Sequence, residues 1–171
     1  TEAVTIIPSP IATTLVTFPD ANLEAAIREV IYKPEGPIYA SDFELLYSLQ
    51  ASLRGISDLT GLGYWTNLEV LDLRGNDISD ISALAELAYL QQLNLGNNNI
   101  SDISALASLT NLESLTLWGN DISDISVLAG LANLETLDLF LNNISDISAI
   151  AGLTSLDNMF LANNNISDIS A

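Results

Sequence analysis

Residues 142–153 read "NNISDISAIAGL", and nearly the same words stand at 75–87 ("GNDISDISALAEL"), 97–109 ("NNNISDISALASL") and 119–131 ("GNDISDISVLAGL"). Laid on itself, the chain repeats every 22 residues: Asn76, Asn98, Asn120, Asn142 and Asn164 share one column, and Ile78, Ile100, Ile122, Ile144 and Ile166 another. A leucine frame opens each unit. It is Leu68/Leu71/Leu73 in the first full copy, then Leu90/Leu93/Leu95, Leu112/Leu115/Leu117, Leu134/Leu137/Leu139 and Leu156/Met159/Leu161. A fixed period of this length marks a solenoid, because a single coil cannot bury its apolar positions and a stack of coils can.

The spacing dictates the coil. Alternation across Leu71-Asp72-Leu73 has the period of a short strand with one buried face, whereas Ile78, Ile81, Leu84 and Leu87 recur at three-residue steps that suit a tight 3₁₀ or extended return. Stacked about 4.8 Å apart, the strands make a parallel ladder over a continuous core. The Asn column falls where the chain leaves the strand, and an amide there can donate to and accept from backbone groups otherwise buried without partners. Ser82, Ser104, Ser126 and Ser148 precede the apolar returns and are expected as their N-caps.

The period, the L-x-x-L-x-L-x-x-N frame, the "ISDIS" phrase and the preceding "FPDANLEAAIREV", "KPEGPI" and "SLQASLRGISDLTGL" resemble the internalin-type leucine-rich repeat proteins of bacterial surfaces. The resemblance covers residues 15–171. It implies an α/β class solenoid with a curved parallel sheet on its concave face, 3₁₀ or extended returns on its convex face and a small helical N-terminal cap. It also implies a secreted or cell-surface, bacterial, ligand-binding horseshoe, without identifying the ligand.

Three regions follow. Residues 1–14, "TEAVTIIPSPIATT", are Thr- and Pro-rich and suit an extended linker or tail. Residues 15–65 hold the cap and a degenerate first repeat. Asp20 is placed to cap a helix whose Leu23, Ala26, Ile27, Val30 and Ile31 share a face, "KPEGP" ends it, and Ser41 to Glu44 has capping-box spacing. Leu46, Leu49, Ala51 and Ile56 then fill the frame, with Arg54 where Asn belongs. Residues 66–171 are the repeats, and the last breaks off inside its return. That break suggests a longer array, or end-to-end or self-association through the last coil.

Composition narrows the function. The chain has 171 residues, 49% of them hydrophobic, which is ample for a core. Its net charge of -18 comes from 22 acidic against 4 basic residues, so nucleic acid would be repelled and anionic lipid disfavoured. No apolar run is long enough to insert in a membrane. There is no His and no Cys, no phosphate-cradling loop and no catalytic motif, so neither an enzyme nor a cofactor is expected. Asp58, Asp80, Asp102, Asp124, Asp146 and Asp168 form a column of like charges about 5 Å apart. It is read as solvated or backbone-bonded carboxylate, with no metal ligand assigned, and a calcium-dependent adhesin is the alternative. Asn99, Asn143 and Asn165 begin N-I-S triplets, but the repeat itself generates these.

A binding role has the most local support. Side chains between the frame leucines point out of the sheet, which exposes the columns Ser52, Arg74, Gly96, Trp118, Phe140, Ala162 and Gln50, Asp72, Asn94, Thr116, Asp138, Phe160. Trp118 and Phe140, on adjacent rungs, are expected to form one apolar ledge with Phe160, rimmed by Glu69, Glu113, Glu135 and Asp157. The candidate partner-binding residues are Arg74, Trp118, Phe140, Phe160, Asp72 and Asp138. The partner is expected to be a protein, with a glycan as the other possibility. The alternative class is a structural building block of a surface assembly.

Overall fold

The computed structural model describes residues 14–168. Six strands form one parallel sheet in chain order: β3 (Ser48–Gln50), β4 (Val70–Asp72), β5 (Gln92–Asn94), β6 (Ser114–Thr116), β7 (Thr136–Asp138) and β8 (Asn158–Phe160). They follow a two-stranded antiparallel pair, β1 (Leu15–Val16) with β2 (Ile38–Tyr39), and one helix, α1 (Ala21–Val30). Each strand pairs with the next at the repeat offset, so Leu71 lies beside Leu93 and Leu93 beside Leu115. The frame leucines and the Ile columns are buried from Leu49 to Leu153, in the single core expected of stacked coils.

The returns are 3₁₀ turns, among them Ser82–Glu86, Ser104–Ser108 and Ser126–Gly130, and each buries its leucine at the middle. The serines do not cap them. The cap residues are Ile81, Ile103, Ile125 and Ile147, which offer no side-chain bond. Instead Asp80, Asp102, Asp124 and Asp146 each accept the backbone N–H of the serine two residues on, at 2.8 Å. The serine supplies a main-chain donor and the aspartate does the capping, because a carboxylate oxygen is the stronger acceptor of an orphan N–H.

The cap is tied to the repeats by one carboxylate. Oδ1 of Asp20 accepts from the N–H groups of Asn22 and Leu23 at the start of α1, while Oδ2 accepts from those of Ser57 and Asp58 in the first coil. Burial pushes this carboxyl up, but the donors from Ser57, Leu23, Asp58 and Asn22 together hold it below its ordinary value of 3.8. Arg54 adds a two-pronged ion pair to Glu29 of α1. Phe43 stacks on Trp65 at 5.1 Å between centroids and meets Phe18 edge-on, so aromatics fill the junction where leucines fill the later coils. Gly61, at φ +96°, passes beneath Phe18, where a Cβ would stand 2.5 Å from the Thr17 carbonyl. The capping-box expectation at Ser41 shifts by two residues: Asp42 accepts from the N–H of Tyr39 and also pairs with Lys33.

At the other end, Leu153 is buried, Leu156, Leu161 and Ile166 are partly buried, and Met159 is 46% exposed on β8. Residues 1–13 and Ile169 lie outside the described residues.

The double duty of Asp20 separates two variants. Asp20→Ala loses both sets of bonds and is expected to destabilise the chain by about 1–2 kcal/mol in urea unfolding. Asp20→Asn can still cap α1 through one oxygen but turns an amide toward Ser57 and Asp58. It should therefore lose most of the same stability, whereas a cap-only role would leave it near wild type. Because the folded carboxyl titrates below 3.8, its contribution is present above that pH and fades as pH falls through the folded value.

Candidate recognition surface

The open face of the sheet is where the sequence reading places it. Leu71, Leu93, Leu115 and Leu137 are buried, and Asp72, Asn94, Thr116 and Asp138 between them and the next leucines stay partly exposed, so the strand register is as read. Asp72 and Asp138 have a local task that the sequence reading missed. Each accepts the N–H two residues on, Asp72 from Arg74 and Asp138 from Phe140, and Asn94 does the same for Gly96. They hold the chain where it leaves the strand, and the two aspartates are partly exposed there.

Trp118 and Phe140 stand on adjacent rungs, with the indole turned toward the coil before. The indole of Trp118 lies on Gly96 of the preceding coil, so that a Cβ there would stand 2.7 Å from its Cδ1; Gly96 is buried and Trp118 only partly exposed. The absence of a side chain at 96 draws the ring back one coil, which leaves no ring stacking between Trp118 and Phe140 among the described residues. Phe140 remains 37% exposed and Phe160, on β8, 54%. Their neighbour Leu141 is 49% exposed and sits at φ +56°. Its column turns every coil through the left-handed region, using Gly75, Asn97, Gly119 and Asn163 and, in the first coil, another exposed leucine, Leu53. A leucine there costs about 1–2 kcal/mol of backbone strain and gains little burial in return.

Charge is unevenly distributed over the molecule. Arg28 pairs with Glu24, Lys33 with Asp42 and Arg54 with Glu29, all in the cap and first coil. Arg74 makes no ion pair among the described residues and is the one basic group on the sheet. Along the sheet's leading edge lies a groove of about 470 Å³, lined by Tyr89, Gln91, Asn111, Glu113, Asn133, Glu135 and Ser155. Asn111 and Asn133 each donate to a carbonyl of the previous coil, Ala88 and Thr110, as Asn67 does to Glu44. This second amide column escaped sequence reading because Tyr89 and Ser155 interrupt it. Among the described residues, no group of three or more carboxylates converges as a metal would require.

A family model of tandem leucine-rich repeats matches residues 66–108, 90–130 and 110–152, just over half of the chain. An internalin (InlF) of Listeria monocytogenes superposes with a TM-score of 0.87 at 38% identity, over 98% of this chain and 49% of that one. The chain belongs to the internalin-type leucine-rich repeat proteins. It spans about half the length of that internalin. Internalin C2 of the same organism matches at 29% identity and a TM-score of 0.59, over 95% of this chain and 94% of its own. The leucine-rich repeat ectodomain of the plant receptor kinase GASSHO1/SCHENGEN3 from Arabidopsis thaliana, solved in complex with Casparian strip integrity factor 2, matches 63% of this chain at 27% identity and a TM-score of 0.58, over 14% of its own length. Among curated proteins, none matches the chain.

On the convex side of this internalin-type solenoid, Asp80, Asp102, Asp124 and Asp146 titrate below 3.8, chiefly because of the bond from the serine N–H two residues on, with the serine hydroxyl adding to it. Asp80 and Asp124 push Asp102 back up. Capping and like-charge repulsion therefore oppose each other in one column, and a pair of substitutions separates them. Asp102→Asn keeps an acceptor but a weaker one, and because capping outweighs repulsion in the folded carboxyl it should melt slightly below wild type. Asp102→Ala removes the acceptor and should melt lower. Below 3.8 the wild type loses this contribution as the column protonates, and the difference between wild type and Asp102→Asn should shrink.

Proposed function

We propose that this internalin-type chain is a non-enzymatic recognition module that acts outside the bacterial cell and binds a protein partner through the open face of its sheet. The observation that carries the reading is the set of exposed apolar side chains on consecutive coils of that face: Phe140 and Leu141 beside β7 and Phe160 on β8. A core does not need them there. Trp118 stands next to them, and Asp72, Arg74 and Asp138 supply the polar rim that a protein interface carries around its apolar centre. The likeness to Listeria internalins supports the extracellular setting, and the plant ectodomain solved with a second factor supports binding. No helix among the described residues is long and apolar enough to cross a membrane.

The test is to pan the chain and its Phe140→Ala/Phe160→Ala variant over an array of purified extracellular protein domains. Domains retained by the wild type should lose about 2 kcal/mol or more with the variant, close to 30-fold in affinity. The melting temperature should hardly move, because these rings leave little surface behind when removed. Equal retention by both forms contradicts the reading. Trp118→Ala is a different matter: it uncovers Gly96 and should lower stability as well as binding.

A further inference from the structure

The open face carries two features side by side that call for different chemistry in one partner. The groove at the leading edge carries two carboxylates, Glu113 and Glu135, among neutral polar side chains. The side-chain nitrogens of Asn111 and Asn133 are spent on Ala88 and Thr110, and the N–H groups of Glu113 and Glu135 on the carbonyls of Gln91 and Glu113. Its only charged groups are the carboxylates of Glu113 and Glu135, and the lining holds no basic residue. At the other edge stands the exposed apolar group of Phe140, Leu141 and Phe160. From Glu135 to Phe140 the chain advances five residues, about 17 Å when extended. That is wider than one extended strand and suits a helix of about 10–12 Å with its side chains reaching to both edges.

We infer that the partner presents a basic amphipathic helix which lies along the solenoid, Lys or Arg side chains in the groove of Glu113 and Glu135 and apolar side chains on Phe140, Leu141 and Phe160. The inference rests on the recognition reading and names its partner's chemistry. Charge complementarity decides the sign. Every basic residue but Arg74 is already paired in the cap and first coil, so the coils from β5 to β8 offer nothing to an anion. Basic side chains placed opposite the two carboxylates gain both charge and hydrogen bonds, whereas an acidic or neutral helix would leave those carboxylates dry and unmatched.

Any acidic protein attracts a cationic peptide, so the test must separate geometry from net charge. The probe is a fluorescein-labelled helical peptide of about 18 residues, roughly the length of the six-coil face, with Lys along one flank and Leu along the other. It is titrated against the wild type and three variants: Glu113→Gln/Glu135→Gln in the groove, Asp102→Asn/Asp124→Asn on the convex side with the same change of charge, and Phe140→Ala/Phe160→Ala. The expected result is loss of about tenfold or more for the groove pair, with a flatter salt dependence, a similar loss for the aromatic pair, and less than about twofold for the convex pair. Equal weakening by the groove and convex pairs, or no measurable binding by the wild type, overturns the inference. If array partners depend on Phe140 and Phe160 but neither carry a basic helix nor respond to the groove pair, recognition stands and this partner chemistry falls.

Discussion

The amide column of Asn76, Asn98, Asn120, Asn142 and Asn164 is the constraint on which the rest of the molecule depends. Each side chain donates to a carbonyl of its own coil and to one in the coil before, and accepts an N–H from that earlier coil; Asn120 does so with Leu117, Leu95 and Ile100. The first four lie 6–8% exposed, surrounded by leucine and isoleucine, where an unmatched amide or carbonyl costs about 1–3 kcal/mol. The turn out of every strand must therefore be built the same way in every coil. That requirement fixes the period, and the fixed period aligns the open columns into a surface.

Because the inward positions are committed to this frame, variation is confined to the outward ones, and the chain uses them differently at its two ends. The cap and first coil hold ion pairs, the Phe43–Trp65 stack and the Asp20 clamp. From β5 onward the open face carries carboxylates on one edge and exposed apolar groups on the other. The outward positions of the first coil tie the cap to the solenoid, and those of the later coils present a partner-facing surface.

The repeat frame, the strand register and the outward columns were legible in the sequence because each follows from periodicity alone. The clamp at Asp20 was legible only by half: its helix-capping oxygen acts on neighbours, but the other oxygen meets Ser57, which no local pattern connects to it. The swap of roles between serine and aspartate was hidden because both residues cap helices and stand two apart. The retreat of Trp118 onto Gly96 was readable in principle, since the two share a column on adjacent rungs. A bulky ring beside a glycine will fill the vacancy before it reaches for another ring.

The central claim is that coil-to-coil amide bonding, added to leucine packing, makes this solenoid one cooperative body. Asn120→Ala tests it most directly, by urea unfolding together with native-state hydrogen exchange at Ile100, whose N–H bonds to that side chain at 3.0 Å. The account predicts a loss of about 2 kcal/mol or more, from the Ile100 N–H left unmatched and the Leu95 and Leu117 carbonyls each reduced to one amide donor, Asn98 and Asn142, with exchange accelerating at Ile100 and in the coils on both sides. A loss below about 1 kcal/mol with Ile100 still protected would show that leucine packing holds the coils without the amides, and would contradict it.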